Sequence, residues 1–473
     1  MSARPSPADA PLVSWSDVVF TLRDSGQDRI LLGAADLAVY AGETVCIAAA
    51  DDATRRVVVD LLTGRARPHY GVIKGTGHRL PRQDGAAIPV LVGRDGRTAT
   101  VVVTNDVSSA PEATRAMSVI RGGFHLAAGT RSWPAEAIRA AVTERLTEAG
   151  APAAAAALVA DVLVDADVRG HHSHGVELLP MYLDRVRGGG IDPRATPSWV
   201  ARGPVVHVLS GNGGFGQLGA REAAVTCARA AAEQGIAAVA VRDNNHVGML
   251  AAYRQPFIDA GIVAFILNIS GPSVAAPGAE RASLGNNAVC LIAPRDGMET
   301  PLIADFATGA VASGKIRDIG TRGGRVPDGW LLGPDGRPST DPADLDRGGS
   351  VPVFGGSGTG YKGLCVAVIT EVLAGMLGGA TISPRVNKQR QHPDRAMGCS
   401  QLFLGFSPAA FLAGDITELS ADLMNAVAGA YGQDGPPAVY FPEQLEQLRS
   451  KESAERGIQV PLSLAAQLGL AAS

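Results

Sequence analysis

The segment that decides the fold is ADVLVDADVRGHHSHGVELLPMYLDRVRGGGIDP, residues 160–193. It passes from an apolar helical pattern into RGHHSHG, which carries three histidines in four residues and ends on His174 and a glycine. Histidine titrates near neutral pH, so such a cluster suggests either proton transfer or metal binding. No cysteine or carboxylate is placed to complete a metal site, so we expect no metal and interpret the cluster as a proton-transfer site.

Regular elements are predicted on both sides of this segment. Upstream, PAEAIRAAVTERLTEAG has helical spacing and ends at Gly150, and AAAAALVADVLVDADVRG forms a second helix. Downstream of Gly203, strands and helices alternate in the order VVHVLS, REAAVTCARAAAEQG, IAAVAVRD and AGIVAFILNIS. An α/β (α+β) fold class follows. Residues 317–361 are mostly loop, and a loop of that length inside an enzyme is usually functional.

Composition is typical of a globular protein with a large core. The chain has 473 residues, 46% of them apolar and 19% charged, with a net charge of −4, so we expect several domains and no nucleic-acid or membrane partner. The five cysteines are widely spaced and form no CxxC, which argues against disulfides and zinc. The N-terminus lacks a signal peptide. The apolar stretch 363–380 contains Glu371 and is interpreted as a buried helix, so we expect a cytoplasmic protein.

The chain divides by composition into four parts. Residues 1–11 are predicted to be a disordered tail, 12–110 a small mixed β-rich module, 111–132 a linker and 133–473 the main domain. Within the module, AAIPVLV and TATVVVT flank GRDGR and predict a hairpin over residues 86–104.

The N-terminal module resembles the start of an ABC-type ATPase domain. The similarity lies in its first strand, in Gly42–Glu43 and in LLTG at 61–64. The phosphate loop that should follow the second strand is replaced by AAADDATRR, residues 48–56, in which Arg55 stands in place of the lysine. Two aspartates there would repel phosphate, so this degenerate Walker A loop lacks its chemistry. We expect a module that docks another protein or supports oligomerisation.

Four segments of the main domain resemble the malate/L-lactate dehydrogenase family. They are residues 160–193, NNHVGMLAAY at 244–253 with LNISGPSVAAPGAERASLGNN after it, LIADFATGAVASGK at 302–315, and 326–375 with GGSGTGYKG. The resemblance implies a fold with a largely antiparallel cofactor-binding sheet, a homodimer, and NAD or NADP as cofactor. It also implies hydride transfer to or from a 2-oxo acid or 2-hydroxy acid, or a cyclic imino acid in some members.

GNGGFG at 211–216 fits the GxGxxG dinucleotide pattern and lies between a strand and a helix. A Rossmann interpretation would place pyrophosphate on this loop and ribose on Asp243. The pattern alone is weak, because a tight turn that brings a helix close to a sheet has the same sequence. The four family segments favour the turn, so we expect no Rossmann fold.

The resemblance also implies roles for individual residues. His174 matches the proton donor, Ser173 a residue that orients or relays the proton, and His246 a nicotinamide contact that serves as the base in some relatives. Lys315 matches a position that assists the proton relay, and it is one of only five lysines beside 37 arginines. The other implied cofactor contacts are Val247, Gly248, Ser270, Ala304, Asp305, Phe306, Lys362, Gly363, Pro442 and Glu443.

Departures from the family pattern concentrate at the substrate positions. Many relatives carry an arginine four residues after the proton-donor histidine to hold the substrate carboxylate, and Leu178 stands there in this chain. Either Arg185 or Arg187 replaces it, or the substrate is not a plain 2-oxo acid. Asn286 replaces a threonine that contacts substrate, and Gly309 replaces a serine. These changes favour a specialised biosynthetic reductase.

Three hypotheses stay open at this point. The first is a reductase or dehydrogenase of 2-oxo or 2-hydroxy acids, and its close variant is a cyclic imine reductase. The second is a non-catalytic binding or scaffold protein on an enzyme fold. The third is an enzyme regulated by nucleotide at the N-terminal module, against which the missing lysine argues.

Overall fold

A computed structural model describes most of the chain. The described parts are eight strands and the residues around 58–61 between residues 13 and 126, and residues 130–470 apart from 296–300, 322–323, 413–415 and 430–440.

The N-terminal region contains two sheets. Its strands are β1 Val13–Asp24, β2 Gln27–Val39, β3 Thr44–Ala48, β4 Tyr70–Gly75, β5 Val90–Val92, β6 Thr98–Thr104, β7 Arg115–Ile120 and β8 Gly123–Leu126. One sheet has the antiparallel order β2-β1-β4, and the other has the order β5-β6-β3-β7-β8. The predicted hairpin is confirmed, since β5 and β6 pair antiparallel. The degenerate phosphate loop after Ala48 lies outside the described residues, and the ABC-type resemblance stays a prediction.

The predicted linker over 111–132 is wrong for residues 115–126. Strand β7 pairs parallel with β3 and forms a hairpin with β8, so this stretch completes the second sheet. The partner of β7 is about seventy residues away in the sequence, so local composition carried no sign of the pairing.

The main domain is built on a seven-stranded sheet with the order β10-β11-β12-β21-β13-β16-β17. Its strands and those of the small sheets beside it are β9 Thr130–Trp133, β10 Ser198–Arg202, β11 Val206–Ser210, β12 Ile236–Asn244, β13 Val263–Asn268, β14 Pro272–Ala275, β15 Leu284–Gly285, β16 Ala288–Ala293, β17 Leu302–Ala307, β18 Leu331–Leu332, β19 Pro338–Ser339, β20 Val351–Pro352, β21 Cys399–Phe406 and β22 Ile458–Pro461. Within the seven-stranded sheet only β11 and β12 are parallel neighbours. The predicted largely antiparallel, non-Rossmann sheet is confirmed.

Helices cover both faces of this sheet. They are α1 Ala135–Glu148, α2 Ala153–Val168, α3 Leu179–Gly188, α4 Gly216–Gln234, α5 Gln255–Asp259, α6 Ser313–Thr321, α7 Gly356–Thr370, the π-helix Glu371–Gly379, α8 Pro408–Phe411, α9 Ile416–Gly429, α10 Gln444–Arg456 and α11 Leu462–Leu468. Successive side chains of a strand point to opposite faces. Accordingly Val239 and Val241 pack in the cluster that contains α4, whereas Ala240 packs with Ala374 of the π-helix.

A second, helical core lies beside the sheet. Helices α1, α2 and α3 share one buried apolar cluster with the C-terminal strand and helix. Strand β9 pairs with β22, joining Trp133 to Ile458, so the main domain starts at its first strand, Thr130, and closes on its own C-terminal part. This helical core carries RGHHSHG between α2 and α3.

The apolar stretch 363–380 is only half as predicted. It forms the second half of α7 and the π-helix, and Ala367 and Ala374 are buried, but the opposite face exposes Val368, Ile369 and Leu377, the last at 75%. The prediction of a fully buried helix is therefore wrong for that face. By length and composition alone, Gly358–Gly379 is the one described helix that could cross a membrane, a test that core helices also pass.

The long segment 317–361 is mostly irregular, as predicted. Trp330 and Leu331 anchor it through an apolar cluster with Ile316 and Val351. The segment is therefore a packed part of the domain that lies next to α6.

Candidate active site

The RGHHSHG turn is shaped by one buried carboxylate that the sequence reasoning did not single out. Asp167, at the end of α2, accepts a hydrogen bond from the backbone N–H of Val176 at 2.8 Å and contacts Nδ1 of His172 at 2.7 Å. A Cβ at Gly175 would lie 2.3 Å from this carboxylate, so the glycine after His174 is required. Two short 3₁₀ turns, His172–His174 and Val176–Leu178, follow from this anchoring.

The structure brings His174 and His246 together. Their rings stack with centroids 6.1 Å apart and planes inclined by 21°. Ser173 Oγ lies 3.1 Å from Nδ1 of His174, as the orienting role requires. On His246, Nδ1 contacts the Tyr182 hydroxyl at 2.7 Å. In the described part of the chain, Nε2 of neither histidine has a hydrogen-bond partner, so both nitrogens are available to a ligand.

Both imidazoles are neutral at physiological pH. Burial, and secondarily the charge of His171, lowers the pKa of His174 to about 4. Burial also lowers the pKa of His246 to about 3, with further contributions from His174, Arg185 and Arg390. A charged imidazolium would lose hydration there and face other cationic groups. The site therefore favours uncharged histidines until a ligand brings negative charge.

The glycine loop 211–216 is a structural turn, in agreement with the interpretation from sequence. The side-chain amide of Asn245 donates to the carbonyls of Gly213 and Gly214 at 2.9 and 2.8 Å. A Cβ at Gly216 would lie 2.4 Å from the carbonyl oxygens of both Asn245 and His246. The loop therefore supports the His246 segment from behind, and its backbone donors do not face an open phosphate site.

Lys315 belongs to the element that packs against Ser173. A Cβ at Gly314 would approach Ser173 Cβ to 2.9 Å, so the start of α6 touches the proton-donor turn. Lys315 Nζ lies 5.2 Å from the ring centroid of buried Trp330, within the range of a cation–π contact. Lys315 is thus held close to the histidine pair, as its predicted role needs.

The strand-end residues predicted to line the cofactor occupy the edge strand β17. Asp305 Oδ2 accepts from the backbone N–H of Ala251 at 2.8 Å, and burial raises the pKa of this carboxyl to about 6. Asp305 therefore fixes the loop that follows His246. Its neighbour Phe306 is 46% exposed and Ala304 is half-buried, so this edge has room for a ligand.

The loop after His246 is tightly folded. Val247 is 2% exposed, and its carbonyl accepts from the Tyr253 hydroxyl at 2.5 Å. Gly248 has a φ of +76°, and a Cβ there would lie 3.1 Å from Val162 of α2. This positive φ and the close packing explain the glycine without a cofactor.

Two departures from the family pattern contact each other. The backbone N–H of Gly309 donates to Asn286 Oδ1 at 2.8 Å. A Cβ at position 309 would lie 2.8 Å from the same oxygen and 3.0 Å from Val351. The asparagine at 286 and the glycine at 309 are therefore one coupled change, since a side chain at 309 would collide with the amide.

Ser270 is held by a buried polar network. Its backbone N–H donates to Asn287 Oδ1 at 3.1 Å, and Asn287 Nδ2 donates to Glu371 Oε1 at 2.8 Å. Glu371 also accepts from the backbone N–H of Ser383 at 2.9 Å and from its hydroxyl. A glutamate in the middle of an apolar helix was the signal for this network, and the π-helix begins at that residue.

The C-terminal residues predicted to touch cofactor hold the proton-donor turn instead. Glu443 forms a bidentate pair with Arg169, and the two side chains are 1% and 2% exposed. His171 Nε2 lies 3.4 Å from Glu446 at the start of α10. Pro442 is exposed. Glu443 therefore anchors the first residue of RGHHSHG from behind.

Leu178 and the two arginines considered as replacements do not form a carboxylate site by themselves. Leu178 is 6% exposed and packs in the helical core. Arg187 is exposed and pairs with Asp184 on the outside of α3. Arg185 is fully buried, and its Nη2 donates to Gly190 O, Asn245 Oδ1 and Arg395 O at 2.8–3.0 Å.

Another basic segment lies against the site, and the sequence reasoning did not consider it. The loop 386–397 is fixed by the Arg185–Arg395 contact and by Met397 N donating to Asn245 Oδ1 at 2.9 Å. A Cβ at Gly271, next to Ser270, would lie 3.2 Å from Lys388 Cγ. Arg390 of the same loop is close enough to help lower the pKa of His246.

Lys362 and Gly363 lie on α7 and differ in their surroundings. Lys362 is exposed, so its ammonium is available to an anion. Gly363 is buried, and a Cβ there would lie 2.5 Å from the carbonyl oxygen of Phe354, which gives the glycine a packing role. Among the described residues no cluster of histidine, cysteine, aspartate or glutamate could hold a metal ion.

Comparison with known proteins agrees with this geometry. A family model described as malate/L-lactate dehydrogenase matches residues 133–469. A Δ1-pyrroline-2-carboxylate reductase of Ancylobacter novellus is 33% identical over 327 residues, covering 69% of this chain and 93% of the relative. A malate dehydrogenase of Pyrococcus abyssi is 33% identical, covering 54% and 72%. The crystal structure of a dehydrogenase from Sinorhizobium meliloti superposes with a TM-score of 0.66 at 29% identity, covering 72% of this chain and 98% of that one.

Proposed function

We propose a specific task for this chain, which belongs to the malate/L-lactate dehydrogenase family and is an oxidoreductase of 2-oxo or 2-hydroxy acids, with cyclic imino acids as the alternative. The enzyme reduces, or forms by oxidation, a C=O or C=N group that has a carboxylate beside it. His174 exchanges the proton with the oxygen or nitrogen. The observation that carries this proposal is the stacked pair His174 and His246, each with a free Nε2 in the described part of the chain.

A nicotinamide dinucleotide fits the residues around this pair. The exposed ring of Phe306 and the exposed ammonium of Lys362 suit a flat apolar group and an anionic group, and Nε2 of His246 is free. Bound NAD(P)H supplies the hydride. The chain's own residues hold His174 through Ser173, exclude water through Leu178 and its core neighbours, and place Lys315 beside the donor turn.

The lowered pKa of His174 supports a substrate with a carboxylate. At pH 7 a free His174 with a pKa of about 4 is mainly neutral, and protonating it costs ~4 kcal/mol. A carboxylate bound nearby raises the pKa by favouring the imidazolium. Substrate binding therefore prepares the proton donor for reduction, while the unliganded site is ready to accept a proton in the oxidation direction.

The substrate carboxylate is assigned to the basic loop 386–397. Lys388 packs beside Gly271, and Arg390 acts electrostatically on His246, so both cations lie on the side of the site where Leu178 provides none. Arg390→Ala should raise the substrate KM about 10- to 100-fold with little change in the coenzyme KM. Arg187→Ala, which removes an exposed arginine outside the site, is the matched control.

The experiment that tests the function is a turnover assay. Purified full-length protein is mixed with NADH or NADPH and a panel of 2-oxo acids and cyclic imino acids, and loss of the reduced-nicotinamide absorbance is followed, with His174→Ala in parallel. Turnover that His174→Ala abolishes supports the proposal and identifies C=O or C=N as the reduced group. Coenzyme binding without turnover on the whole panel would favour the scaffold alternative, and wild-type activity of His174→Ala would exclude the proton-donor role.

We further propose a homodimer and a cytoplasmic location. The exposed apolar face of Val368, Ile369 and Leu377 on α7 and the π-helix suits a second copy of the chain. Sedimentation of the wild type and Leu377→Asp tests this, since the variant should shift towards monomer. The N-terminal module is proposed to dock another protein.

A further inference from the structure

A buried hydrogen-bond chain ends on His246. Gln217 of α4 donates from Nε2 to the Tyr182 hydroxyl at 3.0 Å, and this hydroxyl contacts His246 Nδ1 at 2.7 Å. Gln217 and Tyr182 are 0% and 1% exposed, and the phenol ring meets the imidazole edge-on with centroids 6.1 Å apart. The chain joins three separate elements, α4, α3 and the end of β12.

The order of donors in this chain determines the proton position on His246. A phenolic hydroxyl has one hydrogen, and here its oxygen already accepts from Gln217. The hydroxyl therefore donates its hydrogen to Nδ1, which must be unprotonated. Burial raises the pKa of Tyr182, so the phenol keeps its proton at neutral pH. A neutral imidazole carries one proton, which is then on Nε2.

We infer that Tyr182 is a positioning residue that holds His246 as the Nε2–H tautomer. His246 then presents a hydrogen-bond donor, and not a base, to an oxygen of the bound coenzyme or substrate. This inference rests on the proposed function for its meaning and separates the tasks of the two histidines. His174 exchanges the proton, and His246 orients or polarises.

The groups facing His246 are consistent with a fixed neutral donor. His174 stacks on it, Arg185 lies in the buried layer behind Asn245, and Arg390 comes from the basic loop. The charged groups that act on the ring are therefore cationic, and they disfavour a second proton. With the ring kept neutral, the tautomer is decided by the partner of Nδ1, which is Tyr182.

The test is nitrogen NMR of the full-length protein labelled with 15N-histidine. His246→Gln identifies the His246 signals. The expected result is an unprotonated shift for Nδ1 and a protonated shift for Nε2 in the wild type, and a mixture of tautomers in Tyr182→Phe. A protonated Nδ1 in the wild type, which corresponds to a rotated Gln217 amide, would overturn the inference. This readout does not need turnover, so it stays informative if no substrate is found.

Tyr253→Phe is the matched control, because its hydroxyl is equally buried and bonds to the carbonyl of Val247 in the same loop. With a substrate in hand, Tyr182→Phe should lower kcat about three- to tenfold beyond Tyr253→Phe. Equal losses of stability and kcat in both variants, with an unchanged His246 spectrum, would show that Tyr182 is merely structural.

Discussion

Removal of the Glu443 carboxylate should destabilise the protein strongly, although the residue lies behind the site. Glu443 pairs bidentately with Arg169, both side chains are at most 2% exposed, and Gln447 Nε2 adds a third contact at 3.0 Å. Glu443→Ala leaves a guanidinium buried without its counter-ion. Breaking a buried pair by removal of one partner costs ~3–5 kcal/mol.

The size of the effect follows from the charge left behind and less from the lost contact. The double variant Arg169→Met/Glu443→Leu removes both charges and fills similar volume, so it should be less destabilised than Glu443→Ala alone. Glu452→Ala on the same helix α10 is a matched control, since that carboxylate is partly exposed and its partner Arg456 is half exposed. It should cost less than ~1 kcal/mol.

Urea unfolding at pH 7 without coenzyme measures these differences, with the coenzyme dissociation constant of each variant recorded beside it. A loss below ~1 kcal/mol for Glu443→Ala, or a double variant at least as unstable as the single one, would refute the reasoning. If Glu443 instead contacts coenzyme directly, its removal would weaken coenzyme binding with little loss of stability.

Three further outcomes can be measured. Because the folded pKa of His174 is lowered from 6.5 to about 4, the unfolded chain binds the proton first, and stability falls as the pH drops from about 6.5 to about 4, by ~3 kcal/mol for this group; urea titrations of His174→Gln should show a weaker pH dependence, and parallel curves would contradict this. Gly216→Ala should shift the carbonyls of Asn245 and His246 and cost ~1–3 kcal/mol, and an unchanged melting temperature would show that the loop yields freely. Gly309→Ala should lower the melting temperature in the wild type but much less in an Asn286→Ala background, and additive effects would show that the two sites are not coupled.

Much of the catalytic centre could be predicted from local sequence. RGHHSHG and NNHVG, matched to the family in the right order, identified His174, Ser173 and His246, and the structure brings these residues together. The helices before the motif and the alternating strands after it follow from periodicity, because a helix or strand that buries one face must repeat its apolar residues.

Local sequence could not identify the supports of these residues. Tyr182 and Gln217 lie on separate helices, and only their packing against β12 turns a tyrosine into the partner of His246. Glu443 matched a cofactor contact in the family pattern, yet it is turned inward to Arg169, which lies 274 residues earlier in the chain.

The same division holds for the whole chain. By itself the sequence determined the family, the reaction class and the proton-donor motif, because these depend on side-chain chemistry at short spacing. Only the tertiary structure decided that 211–216 is a supporting turn, that 115–126 completes a sheet, and that one face of α7 and the π-helix is open. Each of these depends on which distant backbone or side chain lies opposite, and a local pattern does not record its partner.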